Sequence, residues 1–357
     1  MDSSNAQGGK RIEWIDTAKG IGIVLVVLAH TSLDFTWIGS FINSFHMPLF
    51  FFLSGYLFSM DKYAGFPDFL SRKARTLLLP YFVFACLSYG YFLARYHFGS
   101  AEYYQDLNIV QQLVGIVYSA GTREWMDFNL PLWFLTCLFV VEVLFYTMKK
   151  AFRSPAALAF VLLICSAAGY ADGLWNPVKL PWGADVALTA IVFFGMGHLL
   201  KNGYSKLLTM SLTIRIVSTV LFLLINLLII DQRMNLNMKV HGHYFDFYLG
   251  ALAGLTGCLL LSSMLRSGLL RYFGNNALLL MALHMPLLNI STKLLSRLPF
   301  SASGYKLELL RVLLTLVLAS PVMYGINRFF PFLLGRRLRH PFPWKHAAGW
   351  FVRATHK

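Results

Sequence analysis

Charge is scarce in this chain. Asp, Glu, Lys and Arg together make up 13% of its 357 residues, about half the share found in water-soluble domains. Hydrophobic residues make up 57%, so there is too little polar material to cover a water-facing surface, and most of the surface must face lipid. Paired cysteines are lacking too. Cys86, Cys137, Cys165 and Cys258 each lie inside an apolar run, with no metal or redox spacing among them. They read as small core residues, and no metal is expected. The first apolar run, 21–29, follows basic residues as a signal peptide would, but no small-x-small cleavage site comes after it. It therefore reads as a retained first helix. Long linkers, low-complexity tracts, internal repeats and an appended soluble domain are also missing.

What is there is a series of apolar runs with cations at their ends. Ten candidate spans fall at 20–37, 41–60, 74–93, 130–148, 156–173, 184–200, 212–230, 247–264, 276–295 and 309–329. The net charge of +15 comes from cations at span ends rather than on one folded face, which excludes nucleic acid as a partner. With the N-terminus inside, the inner segments hold 21 of the 31 Lys and Arg and the outer segments 9, while Arg215 lies within a span. That bias places both termini in the cytoplasm, which an even span count requires. The expected fold is thus all-α: a polytopic integral membrane protein of about ten transmembrane helices, with a transmembrane domain over 1–329 and a basic cytoplasmic tail over 330–357. The longest connection, 95–129, carries Glu102, Asp106, Glu124 and Asp127, and the tail, with Trp344 and Trp350, reads as an interfacial segment on anionic lipid.

An ionisable side chain at membrane depth is costly and points to function. Four stand out: His30, His46, Glu142 and His284. His30 follows Lys19 by eleven positions, about 16 Å along a helix axis, which puts it near mid-membrane if Lys19 marks the inner boundary. Imidazole suits proton transfer near neutral pH, and Asp34, one turn later, is positioned to fix its tautomer. The competing reading is a histidine bonded to a neighbouring helix for packing alone. His46 sits in Phe45-His-Met-Pro48, in the outer half, and the Ser54-Gly55 that follows reads as a close helix contact rather than a nucleophile. Glu142 and His284 are each either a partner for His30 or a structural, hydrogen-bonded residue. Arg72 and Arg75 are spaced to share a helix face and to fork onto a phosphate, but equally read as a topology signal.

Taken in order, these motifs resemble the acyltransferase 3 family of membrane O-acyltransferases, in particular its fucose 4-O-acetylase-like or exopolysaccharide acetyltransferase branch. The resemblance rests on the opening Arg11-Ile-Glu-Trp-Ile-Asp16-Thr-Ala-Lys19-Gly20, on Lys19-x10-His30, and on Phe45-His46-Met-Pro-Leu-Phe-Phe-Phe-Leu-Ser54-Gly55. Arg72-x-x-Arg75 before Leu-Leu-Leu-Pro80-Tyr81 adds to it, with Leu132-Trp133-Phe134-Leu135 and Leu283-His284-Met-Pro286 in support. It implies a multi-pass protein of the bacterial inner membrane that transfers an acyl group, usually acetyl, from cytoplasmic acetyl-CoA. The implied acceptor is a hydroxyl of a surface or exopolysaccharide glycan or its lipid-linked sugar precursor, with polysaccharide-assembly proteins as candidate partners. On this resemblance Arg72 and Arg75 hold donor phosphates, Lys19 assists at the inner rim, and His30 is the catalytic histidine. His30 acts either as general base or as transient acyl carrier, the first needing no acyl-histidine intermediate. The rival readings are a transporter or flippase for a lipid-linked glycan or small solute, and a sensor or assembly subunit without chemistry. Against transport stands the absence of internal repeats and of paired interrupted helices.

The charge bias carries its own test. A phosphatase domain active only outside the cytoplasm should stay inactive when fused after Lys357 and become active when fused after Gly99. The opposite pair of results would invert the orientation.

Overall fold

The computed structural model describes residues 12–99, 106–230, 234–297 and 304–336. Arg11 of the opening motif, Glu102 and the tail beyond Arg336, with Trp344 and Trp350, lie outside the described residues. The architecture is all-α. Fifteen helices are described: α1 (Glu13–Ala29), α2 (Trp37–Leu57), α3 (Phe66–Lys73), α4 (Leu79–Phe98), α5 (Ile109–Tyr118), α6 (Arg123–Met126), α7 (Trp133–Ala151) and α8 (Pro155–Trp175) come first. They are followed by α9 (Ala184–Leu199), α10 (Lys201–Leu207), α11 (Leu212–Ile229), α12 (Tyr244–Met264), α13 (Gly268–Asn275), α14 (Ala277–Leu295) and α15 (Tyr305–Phe329). Among the described residues the only strand-like pairing is a single antiparallel bridge between Asn235 and Val240.

Local chemistry sets the boundaries. Ser154 caps α8 by accepting from the Ala157 N–H, with Pro155 at the first turn, and Ser211 and Ser267 cap α11 and α13 in the same way. The first helix departs from the expected span. It starts at Glu13, where Glu13 and Asp16 favour the positive helix terminus, and stops at Ala29 instead of running on to residue 37. There the Thr31 hydroxyl donates to the Leu28 carbonyl, and a short 3-10 turn (Ser32–Phe35) follows. The third expected span is longer than its hydrophobic run. A π turn over Ala74–Leu78 joins α3 to α4, just before Pro80, which has no N–H to return to the Thr76 carbonyl.

Eight described helical stretches are long and apolar enough to cross a membrane, beginning at Phe66–Phe98 and ending at Tyr305–Phe329. The first two of the ten expected spans are not among them. Helix α1 has 17 residues, and α2 carries Asn43, His46 and Pro48 within its apolar sequence. Both are instead enclosed by other helices. Helix α2 is buried along its length against α1, α9 and α12, while α11 buries only Thr219 and Asn226 and presents Val217, Leu221 and Leu228 outward. Apolar residues are thus both inside and on the rim, as lipid surroundings require.

The helix ends sort into two groups. One, the basic end, carries Arg72, Arg75, Lys149, Lys150 and Arg271. The other, the loop end, carries the 3-10 turn at Ser32, helices α5 and α6, and a hairpin over 234–243. Close helix contact at Gly55, anticipated from Ser54-Gly55, is present. A Cβ at Gly55 would overlap the Phe194 carbonyl of α9, and one at Gly197 would overlap the Phe52 carbonyl of α2. Because the obstacle is backbone on both sides, Gly55→Val should destabilise the protein by about 2–3 kcal/mol. The measurement is its unfolding midpoint in detergent, and an unchanged midpoint would mean that the two helices separate freely.

Candidate active site

Helices α1, α2, α7 and α14 enclose a cavity of about 300 Å³. Leu77, Ala277 and Leu278 line it on the side of the basic end. His30, His46 and Phe50 line its middle, and Asp34, Gly121 and Asn235–Met238 line it at the loop end. The walls are mostly apolar, with Trp133, Phe134 and Leu138 of α7 facing the two histidines' helices.

The histidines share one local device. His30 Nδ1 donates to the Val26 carbonyl at 2.8 Å, His46 Nδ1 to the Ile42 carbonyl at 2.8 Å, and His284 Nδ1 to the Leu280 carbonyl at 3.1 Å. A carbonyl only accepts, so in each neutral ring the proton sits on Nδ1 and the lone pair on Nε2. For His30 this places a basic nitrogen in a ring that lines the cavity. The preceding helical turn takes the Nδ1 proton of His30, and Asp34 lies on the 3-10 turn beyond the helix end. Asp34 accepts from Asn43 Nδ2 at 2.5 Å and lines the cavity with it.

Of the two residues expected as alternatives beside His30, it is His284 that reaches it. The two rings stand edge to face, with centroids 4.9 Å apart. His284 is fully buried, does not line the cavity, and its Nε2 has no hydrogen-bond partner. Glu142 is held elsewhere: Lys73 Nζ sits 2.7 Å from its carboxylate, in a pair with Glu142 buried and Lys73 one-fifth exposed. Lys73 therefore points into the bundle, while its neighbours Arg72 and Arg75 are exposed at the basic end. Arg72 lies on α3, 2.8 Å from Asp68, and Arg75 lies on the π turn with no side-chain partner among the described residues. Lys19, half-buried on α1, does not line the cavity.

A family model described as an acyltransferase domain, that of the acyltransferase 3 family, matches residues 12–331. The chain belongs to this family. No curated protein and no solved structure matches it. The protein is thus a membrane acyltransferase, and its histidine-lined cavity is the candidate active site.

At the loop end the cavity of this acyltransferase is lined by a hairpin that the apolar runs do not announce. Lys239, in the hairpin, ion-pairs with Asp172 at 2.9 Å and approaches Asp185 at 3.5 Å, and Lys179 lies 3.4 Å from Asp185. Lys239 also donates to the Asn176 and Val178 carbonyls, and Lys179 to the Asn237 carbonyl. These bonds hold Lys239 in a left-handed conformation, φ 58°, that a side chain adopts only when its surroundings compel it. The signal was present, since Asp172 and Asp185 are carboxylates inside apolar spans, as His30 is an imidazole inside one.

The hairpin also buries His241 against Phe247, with ring centroids 4.6 Å apart and Nε2 unpartnered. Burial, reinforced by the charges of Lys179 and Lys239 and opposed by Asp172, lowers its pKa from 6.5 to about 4. An unfolded chain therefore takes up this proton before the folded one does. The stability that neutral His241 contributes is complete above pH 6.5 and is lost as pH falls from 6.5 towards about 4. Across that window the unfolding midpoint of His241→Gln should fall less steeply than that of the wild type, and parallel curves would assign the acid sensitivity elsewhere.

Proposed function

We propose that this acyltransferase moves an acetyl group from acetyl-CoA, held at the basic end, to a hydroxyl of a surface or exopolysaccharide sugar, or of its lipid-linked precursor, at the loop end. In this reading the chain makes ten passes of a bacterial inner membrane, counting α1 and α2, with both termini and the basic end in the cytoplasm. The observation that carries it is the position of His30 on one cavity whose lining runs from Leu77, two residues after Arg75, to Asp34 and the 234–243 hairpin.

The chemistry follows from charge. The donor's phosphates stay with Arg72 and Arg75 outside the hydrocarbon, where guanidinium groups match phosphate oxygens. The slim, uncharged pantetheine arm passes the apolar walls and brings the thioester to His30. The Nε2 lone pair takes the proton of the acceptor hydroxyl as its oxygen attacks the thioester carbonyl. The C–S bond breaks, an ester forms, and the proton passes from the imidazolium to the departing sulfur, releasing coenzyme A as its thiol. His284 is a positioning residue here: its ring backs the His30 ring without touching the substrates. His46, on the same cavity wall, is placed to contact the acceptor. The Lys73–Glu142 pair ties the α3 segment that bears Arg72 to α7.

Purified protein given acetyl-CoA and surface glycan from the producing cell should release coenzyme A and gain acetyl on the glycan. His30→Ala should lower the rate by about 10²–10⁴-fold while the protein still inserts in the membrane, since general-base removal has that effect. Replacing Arg72 and Arg75 together by Ala should raise the KM for acetyl-CoA by about tenfold or more and leave that for glycan nearly unchanged. Normal turnover by the His30 variant would remove its role, and a shift confined to the glycan would remove the phosphate assignment.

A further inference from the structure

The acyl transfer described above makes no use of four polar side chains at the loop end of the cavity, those of Asp34, Asn43, Asn235 and Asn237. Their partners within the protein define what each still offers. Asn235 accepts from the Met238 N–H at 3.0 Å, which fixes its oxygen there and leaves its amide NH₂ as a donor. Asn237 donates to the Gly121 carbonyl at 2.7 Å, and its oxygen is buried with no partner. Asn43 gives its NH₂ to Asp34, which leaves its own carbonyl oxygen as an acceptor. Amide donors and acceptors thus sit together at one end of a cavity that also carries the Asp34 carboxylate and the indole of Trp133.

That pattern selects a ligand class. A hydroxyl donates one hydrogen bond and accepts others, so a polyol satisfies mixed amide groups as an anion cannot. Among the described residues, Lys179 and Lys239 are cations beside this end, but they do not line the cavity and are engaged by Asp172, Asp185 and backbone carbonyls. The same ion pairs clamp the hairpin to α8 and α9, so its two amides are presented from a rigid support, as selective binding requires.

We propose that the 234–243 hairpin is the acceptor-specificity element, in which Asn235 and Asn237 hold an uncharged, polyhydroxylated sugar ring at the loop end of the cavity with one hydroxyl directed towards His30. The proposal rests on the acyl-transfer reading above and adds to it which residues choose the acceptor.

Two variants at one position test it. Asn235→Asp keeps the oxygen that takes the Met238 N–H and replaces the donor NH₂, whereas Asn235→Ala removes both. Each is produced as the full chain in cells lacking the wild-type copy. Acetyl on their surface glycan is measured by mass spectrometry, and acetyl-CoA affinity is measured on the detergent-purified protein by calorimetry. Both variants should bind acetyl-CoA as the wild type does and lose about tenfold or more of the glycan acetylation, the effect of one missing hydrogen bond to a bound group. Wild-type acetylation by Asn235→Asp, with or without failure of Asn235→Ala, would reduce Asn235 to a structural turn residue and overturn the proposal. So would a parallel loss of acetyl-CoA affinity. If the wild type itself neither binds acetyl-CoA nor acetylates glycan, the transfer reading fails first and the hairpin proposal falls with it.

Discussion

A polar group turned towards hydrocarbon loses its hydration and gains no partner, at a cost of several kcal/mol, so each one must be met from within the protein. The described part of this chain is arranged around that requirement. His30, His46 and His284 each return Nδ1 to the carbonyl one turn back, which uses an acceptor the helix already supplies. Glu142 closes on Lys73, Asp185 is flanked by Lys179 and Lys239, and Glu308 takes bonds from Ser32 and Arg311. Among the buried polar atoms left over after these pairings, the Asn237 oxygen and His284 Nε2 belong to residues on or beside one cavity.

The same requirement separates the jobs of the two ends. Full charges that need water, as on Arg72 and Arg75, stay exposed at the basic end. At the loop end Lys239 pairs with Asp172 and Asp185 and clamps the hairpin, which sets the amides of Asn235 and Asn237 on the cavity wall beside Asp34. Between the ends the lining is apolar except for the imidazoles, so the ring nitrogens of His30 and His46 are set among apolar side chains. The bond to the Val26 carbonyl matters because it commits Nδ1 as donor and thereby directs the lone pair to Nε2.

Much of the architecture could be read from hydropathy. Eight of the ten apolar runs coincide with helices long enough to cross a membrane, and most boundaries lie within a few residues of those expected. The exceptions have local causes. The end of α1 is set by the hydroxyl of Thr31 bonding to the Leu28 carbonyl, and the join of α3 to α4 by a π turn before Pro80, neither of which alters an average over apolar residues. In the candidate site, His30, Asp34 and His46 were all legible and all line the cavity. The hairpin was not, because Asn235 and Asn237 are ordinary loop residues until Asp172 and Asp185, far away in the chain, draw Lys239 down between them.

By itself the sequence determined the class of protein: with so few charges and so many apolar runs, no water-facing fold was open to it, and the order of its motifs identified its family. It also determined which groups are costly to bury, since that depends on residue type and on the surrounding run alone. Only the tertiary structure decided who meets whom. His284 stands against His30 while Glu142 belongs to Lys73, and a loop between α11 and α12 lines a cavity that α1 opens. The physical reason is that burial cost is local to a segment, whereas the partner that relieves it is chosen by how the helices pack.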